Sequence, residues 1–308
     1  MKKITSMVLV MVMLLGLALS GCGAADDGVY TVGVCQLMVH VSLDQATQGF
    51  VDAVTAEMKS AGKKVEVDVQ VAGEANLCPT VINTFTAKKV DLIMAKATPA
   101  LLAAANATTT IPVLGTSVTD YASTFSGSIP ANVSGTSDAV PFAEQAQMMI
   151  DTLGLVAGDV VGVLYCTNES NSLIQYEAVK ALFEAEDIVV KAYTFSETTE
   201  LQALTTSMAG EVDAVYIPSD NTVAANDAIV GTICTEKNVP VYTSYGGTIC
   251  YASLSIDYYQ LGYETGKMAA SILLEGKSPA DFDVKTLTPS VAYNVELCAQ
   301  RGIEVSAN

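Results

Sequence analysis

Tryptophan is absent from this chain, histidine occurs once as His40, and arginine occurs once as Arg301. Each scarcity excludes a kind of chemistry. One imidazole allows no paired-histidine metal spacing and leaves an acyl-transfer triad without its usual base. No Gly-x-Ser-x-Gly elbow and no Gly-x-x-x-x-Gly-Lys-Ser/Thr phosphate loop is present. No metal site, cofactor or enzymatic activity is therefore expected. Positive charge is scarce throughout, 15 Lys and Arg against 33 Asp and Glu, for a net charge of −18. Phosphate backbones are bound by clustered Lys and Arg, so nucleic acid is excluded as a partner. An anionic ligand cannot be held by several Arg forks here. Its carboxylate falls to backbone N–H groups and Ser/Thr hydroxyls.

Long apolar runs are also missing. The most continuous one, Met7 to Leu19, spans about 13 residues, short of the roughly 20 that a helix needs to cross a bilayer. Preceded by Lys2 and Lys3, it fits the apolar region of a secretory signal peptide. It ends in Leu19-Ser20-Gly21-Cys22, which resembles a bacterial lipobox, with Cys22 as the acylated residue. Residues 1–21 are thus expected to be a lipoprotein signal peptide and 22–29 a lipidated tether. That arrangement holds a protein to a membrane surface by acyl chains. The remaining six cysteines, Cys35, Cys78, Cys166, Cys234, Cys250 and Cys298, are widely spaced with no C-x-x-C pair. Several lie in apolar runs, where Cys acts as a small core residue, so mostly free, buried thiols are expected.

What is present is a repeated rhythm. Short apolar runs at 30–37, 65–71, 90–95 and 111–114 alternate with helical patterns at 42–61, 76–88 and 99–106. A second series has strands at 160–165, 188–194, 214–217 and 239–243, and helices at 142–153, 170–185, 199–208 and 221–237. Apolar strands alternating with amphipathic helices indicate α/β architecture, with parallel sheets covered on both faces. Two series indicate two doubly wound parallel-sheet domains, with the Ser-, Gly- and Pro-rich stretch 130–141 as the crossover. A late helix at 258–274 and a strand at 287–293 must dock back onto these sheets, which gives a multi-strand hinge. Ligands of such sheets bind beyond the carboxyl ends of the strands.

An ordered set of segments then resembles a known family. It comprises Val32-Gly-Val-Cys-Gln-Leu-Met-Val-His40, Leu43-Asp44, Gly49-Phe50, Ala97-Thr98-Pro99, Ile111-Pro112-Val113 and Thr119-Asp120. It continues through Asn132 to Asp138, Ile217-Pro218-Ser219-Asp220-Asn221, Asp257 to Gly262, and Gly266. These resemble ABC-transporter substrate-binding proteins of the tryptophan- and aromatic-amino-acid-binding lipoprotein kind. The resemblance implies a type I periplasmic-binding-protein fold, an extracytoplasmic location at the cell membrane, ABC permease and ATPase partners, and a small ligand, an aromatic or other hydrophobic amino acid first. It also implies a first lobe of 30–136 with about 254–280, and a second of 137–253 with about 281–308. Val39 stands where many relatives carry Glu before the His, and Tyr121 where relatives often carry Pro, so the resemblance does not fix the ligand. A surface sensor signalling to a membrane receptor, or a binder of a nucleoside or sugar, shares the same fold.

The ligand contacts are expected on loops after strands. Gln36 and His40 close the first. Thr98 opens a helix whose N-terminal N–H groups favour a carboxylate. Thr116, Ser117, Thr119 and Asp120 form a polar run suited to a second nest of hydroxyls and amides. From the second lobe come Asn168, Glu169, Ser170 and Asn171, then Asp220 and Asn221, then Tyr245 and Gly247. An ammonium is expected at Asp220 or Glu169, opposite a carboxylate held by the first lobe. The run Asp257-Tyr258-Tyr259 is expected to cap and pack the late helix.

Overall fold

The computed structural model describes residues 28–305. The expected signal peptide, Cys22 and nearly all of the tether lie outside the described residues. The first sheet is built by β1 (Val29–Gln36), β2 (Lys64–Val71), β3 (Leu92–Lys96), β4 (Val113–Val118) and β5 (Val133–Ser137). Between them run α1 (Val41–Ser60), α2 (Cys78–Lys88), α3 (Thr98–Ala107) and the single turn α4 (Tyr121–Thr124). Side chains of β1 alternate between two apolar layers. Val32 and Val34 pack with Phe50 and Met58 of α1, whereas Cys35 packs with Ile82 and Phe85 of α2. A strand buried on both faces reads as the unbroken apolar run seen in the sequence. The edge strand β2 instead alternates exposed and partly buried residues.

The second sheet follows after α5 (Phe142–Leu153) and comprises β6 (Val160–Cys166), β7 (Val189–Phe195), β8 (Ala214–Ile217) and β9 (Val241–Thr243). Its connecting helices are α6 (Ser170–Ala185), α7 (Leu201–Met208), and a pair, α8 (Asn221–Ala224) and α9 (Asp227–Glu236), where the sequence pattern gives one helix. All neighbouring strands in both sheets are parallel. The orders are β2-β1-β3-β4-β5 and β7-β6-β8-β9, so the second sheet repeats the first. In each, the strand order reverses beside the first strand of the series, which places a ligand-binding crevice beyond β1 and β6.

The later elements close both lobes. Strand β10 (Ala252–Ser255) pairs antiparallel with β12 (Ser290–Tyr293) beside the second sheet. Between them, α10 (Tyr258–Glu275) returns to the first lobe and lies against α1. The two helices touch backbone to backbone: a Cβ at Gly49 would meet the Tyr259 carbonyl, one at Gly262 the Ala46 carbonyl, and one at Gly266 the Phe50 carbonyl. The short strand β11 (Lys285–Thr286) pairs with Thr136 and Ser137 of β5 and so extends the first sheet. This corrects the expectation that 281–308 lies wholly with the second lobe. Lys285 Nζ meets Glu264 of α10 at 2.6 Å, and Ser134 Oγ donates to the Phe282 carbonyl at 2.9 Å, which hold the segment there. The terminal helix α11 (Val295–Gln300) does sit by the second lobe, where Arg301 donates to the Asn238 carbonyl. The chain crosses between lobes at 138–141, 256–257 and 287–289. The stretch 130–141 is thus only partly a crossover, since Val133–Ser137 is an inner strand.

Candidate functional site in the cleft between the lobes

A bulge in the first lobe does the first piece of positioning. Gly115 of β4 pairs with Gly135 and Val118 pairs with Ser137, so Thr116 and Ser117 together face Thr136 alone. Such a two-against-one register bends the strand and re-aims a side chain, a device common beside functional sites. Here it leaves Ser117 at φ 55 in the lining of the cleft, with its Oγ buried and unpaired. Thr116 turns inward instead, bonded to Thr136, which bonds to Thr265 of α10. Strand β5 ends at Ser137, and Asp138 follows at the mouth of the cleft, 6% exposed. Asp257 caps α10 by accepting from Gln260 N, which sets Tyr258 at the first helical position. Tyr258 then donates from its hydroxyl to Asp138 Oδ2 at 3.2 Å.

These residues line a narrow cavity with His40, Leu43, Ser219, Asp220, Asn221, Ala224 and Tyr245. Its envelope is about 270 Å³ including the mouth, near the lower end of the roughly 300–1,000 Å³ typical of small-molecule sites. The side chains close in so far that the innermost space holds about one water, so a larger ligand enters only if the lobes part. An outer cleft of about 1240 Å³, counted with its open solvent, continues past Val39, Gln45, Tyr245 and Gly247. Among the described residues, four buried side-chain atoms lack a hydrogen-bond partner: Ser117 Oγ, Asp138 Oδ1, Tyr245 OH and Asn171 Oδ1. Three of the four belong to the cavity lining. Buried polar groups are nearly always paired, so three orphans on residues that line one space, contributed by both lobes, make it the candidate place for a polar ligand.

His40 joins the lobes. Its Nε2 stands 3.2 Å from Asn221 Oδ1, and Asn221 Nδ2 donates to Glu169. That second bond fixes the amide so that its oxygen faces the ring, which makes His40 Nε2 the donor. Burial pulls the His40 pKa down to about 4, opposed by the Asn221 bond and reinforced by the nearby Lys96. The ring is neutral at pH 7, and the cavity lining then carries carboxyl groups but no cation.

The other expected residues have other tasks. Glu169 is buried and accepts from the backbone and side chain of both Asn221 and Thr222. Asp220, 1% exposed, accepts from Cys166 N, Ser172 Oγ and Val223 N. Glu169 thus accepts four hydrogen bonds and Asp220 three of about four, all from the second lobe, so both carboxylates are already engaged by protein donors. Gln36 donates to the Met38 carbonyl and Asp44 and accepts from Thr47, and the Thr47 hydroxyl in turn accepts from fully buried Lys96. Asp120 caps α4 through Ser123. Thr98 is buried at the start of α3, after Ala97 at φ 73. Thr119 lends its carbonyl to Ser137. Asn168 is exposed and bonds Ser196, Ser170 is exposed at the start of α6, and Asn171 bonds the Ser219 carbonyl. Gly247 lines the outer cleft and a neighbouring pocket, not the inner cavity. Of the expected set, the structure brings together His40, Ser117, Asp220, Asn221 and Tyr245. Asp138, Ser219 and Tyr258 are absent from it, although all three lie in segments that carry the family resemblance.

All six described cysteines are free and buried. No helix among the described residues is long and apolar enough to cross a membrane, and none of their acidic, His and Cys side chains group as a metal site.

The geometry has close counterparts. The tyrosine-binding protein of Clostridioides difficile (strain R20291) is 34% identical over 268 residues, 83% of this chain and 76% of that protein. An ABC domain of Streptococcus pneumonia in complex with L-Trp superposes with a TM-score of 0.80 at 30% identity, covering 89% of this chain and 96% of that one. The ligand-free, open structure of a substrate binding protein with adhesive properties from Clostridium difficile gives 0.65 at 31% identity, covering 91% and 97%. At nearly equal identity, this chain superposes more fully on the complexed structure than on the open one. The profile of ABC transporter substrate binding proteins matches residues 31–308. That family binds solutes outside the cytoplasm and is not a family of enzymes. With two doubly wound parallel sheets, a multi-strand hinge and a polar cleft between them, this chain belongs to the ABC transporter substrate-binding protein family.

Proposed function

We propose that this protein is the lipid-anchored solute receptor of an ABC importer and captures an aromatic or other hydrophobic amino acid by closing its lobes. The observation that carries this reading is the convergence of unpaired Ser117 Oγ, Asp138 Oδ1 and Tyr245 OH, from opposite lobes, on one small cavity. Tyr245, Tyr258, Leu43 and Ala224 supply an apolar wall beside these polar groups. The relative named for tyrosine and the structure complexed with L-Trp support the ligand class. The open form admits ligand, contacts from both lobes favour the closed form, and permease and ATPase subunits act on the closed shape. Acylation at Cys22 keeps the receptor at the membrane.

A thermal-shift screen of the purified protein against amino acids, nucleosides and sugars tests the ligand class. A ligand that binds only the folded form raises the melting temperature. A shift from tyrosine, tryptophan or phenylalanine alone supports the reading. Silence across amino acids with a shift from a nucleoside or sugar overturns the ligand and keeps the fold. Membrane association that survives Cys22→Ala overturns the anchor.

A further inference from the structure

The cavity contains one carboxylate that hydroxyls approach but no cation among the described residues answers. Glu169 and Asp220 are each enclosed by donors from the second lobe. Asp138 is different. Its Oδ2 accepts from the Tyr258 hydroxyl, while its buried Oδ1 has no partner. Five ion pairs occur among the described residues, and none involves Asp138. The nearest buried amine, Lys96, is directed at Thr47, and His40 is neutral. Desolvation pushes the Asp138 carboxyl pKa upward, against the Thr119 and Tyr258 hydroxyls beside it, so a cation brought to Oδ1 would favour its charged form.

We propose that Asp138, held in place by Tyr258, accepts the ammonium group of the ligand, so that the site selects amine-bearing ligands from the first lobe. This rests on the amino-acid reading given above and reverses the polarity expected from the sequence. The ammonium lies against the end of β5, and the free hydroxyls of Ser117 and Tyr245 remain for the ligand's other polar groups. The arrangement discriminates strongly, because a ligand lacking the amine leaves a buried carboxylate oxygen unpaired.

Calorimetric titration separates the two claims. The probes are L-tyrosine, L-tryptophan and their des-amino analogues, against the wild type and Asp138→Asn. The wild type is expected to bind an L-amino acid at least about 30-fold more tightly than its des-amino analogue, the scale of a broken buried charge pair. Asp138→Asn is expected to lose that preference to within about threefold while retaining the wild-type fold by circular dichroism. A preference that survives in Asp138→Asn, or equal binding of amine and des-amino ligands by the wild type, overturns the assignment alone. Failure of the wild type to bind either aromatic amino acid overturns the amino-acid reading and the assignment with it. If Asp138→Asn does not fold, Tyr258→Phe serves instead: a weakened amine preference supports the assignment and an unchanged one overturns it.

Discussion

His40 of the first lobe and Asn221 of the second meet at 3.2 Å across the cleft, in a direct side-chain bond between the lobes. The bond exists only when the lobes are together, so its worth adds to closure. A neutral hydrogen bond is worth about 1 kcal/mol net. His40→Ala is therefore expected to weaken ligand affinity about three- to tenfold. The change should appear in the dissociation rate measured by surface plasmon resonance, with association nearly unaltered.

Acid should loosen the closed state. The His40 pKa is lowered from 6.5 to about 4 by burial, so the open or unfolded chain binds a proton that the closed form refuses. Stability of the closed form is then fully present above pH 6.5 and is lost as pH falls toward 4, by about 3 kcal/mol at most. Lys96 and Asp44 are the charged groups facing the ring. Asp138 has the opposite sign without ligand, since its raised pKa favours the folded state at low pH. With an ammonium bound, both groups weaken capture on acidification. Titrations at pH 7, 6 and 5 at fixed ionic strength should show affinity falling roughly tenfold, and His40→Gln should flatten the curve.

The contact between α1 and α10 sets a demanding test of packing. Glycine within a helix ordinarily costs about 0.5–1 kcal/mol relative to alanine, so replacing it usually stabilises. At Gly262 a methyl group would strike the Ala46 carbonyl. Gly262→Ala is expected to destabilise by about 1–3 kcal/mol and to lower the melting temperature by several degrees. Since α10 starts at Tyr258, the same substitution should weaken ligand binding by displacing that hydroxyl.

Asp220 and Asp138 should part company under mutation. Asp220→Ala leaves Cys166 N, Ser172 Oγ and Val223 N without their acceptor, at a cost of about 3 kcal/mol in urea unfolding. Asp138→Asn removes a buried charge that has no partner cation, so the unliganded protein should unfold at the same or higher urea concentration. A site that gains stability when its key residue is replaced fits a binding group held at some cost to the fold.

Much of the architecture was legible because the strands are short and apolar and the helices amphipathic. Phe142–Leu153, Ser170–Ala185 and Ala214–Ile217 were delimited to the residue. Val133–Ser137 reads as part of the 130–141 crossover because the stretch is rich in Ser, Gly and Pro. It is an inner strand because its hydroxyls are paired, Ser134 with the Phe282 carbonyl and Thr136 with Thr116 and Thr265. Ser117 was found for its place after an apolar run, but the bulge that aims it depends on pairing partners that local sequence does not name. Glu169 and Asp220 attracted attention as acids after strands, and only their donor shells show them occupied. Asp138 and Tyr258 are brought together from positions 120 residues apart, and no periodicity announces such a pair.

The first sheet is completed by Lys285–Thr286 and covered by Tyr258–Glu275, whereas the four strands of the second sheet form one uninterrupted stretch from Val160 to Thr243. During synthesis the lobe that emerges first is therefore the one that must wait. Its β1 to β5 exist long before α10 arrives to cover Val34 and Leu114. Sequence-distant pairings of this kind fold slowly and leave apolar surface exposed meanwhile. Under the proposed export as a lipoprotein, that delay favours any route that carries the polypeptide before it has closed on itself.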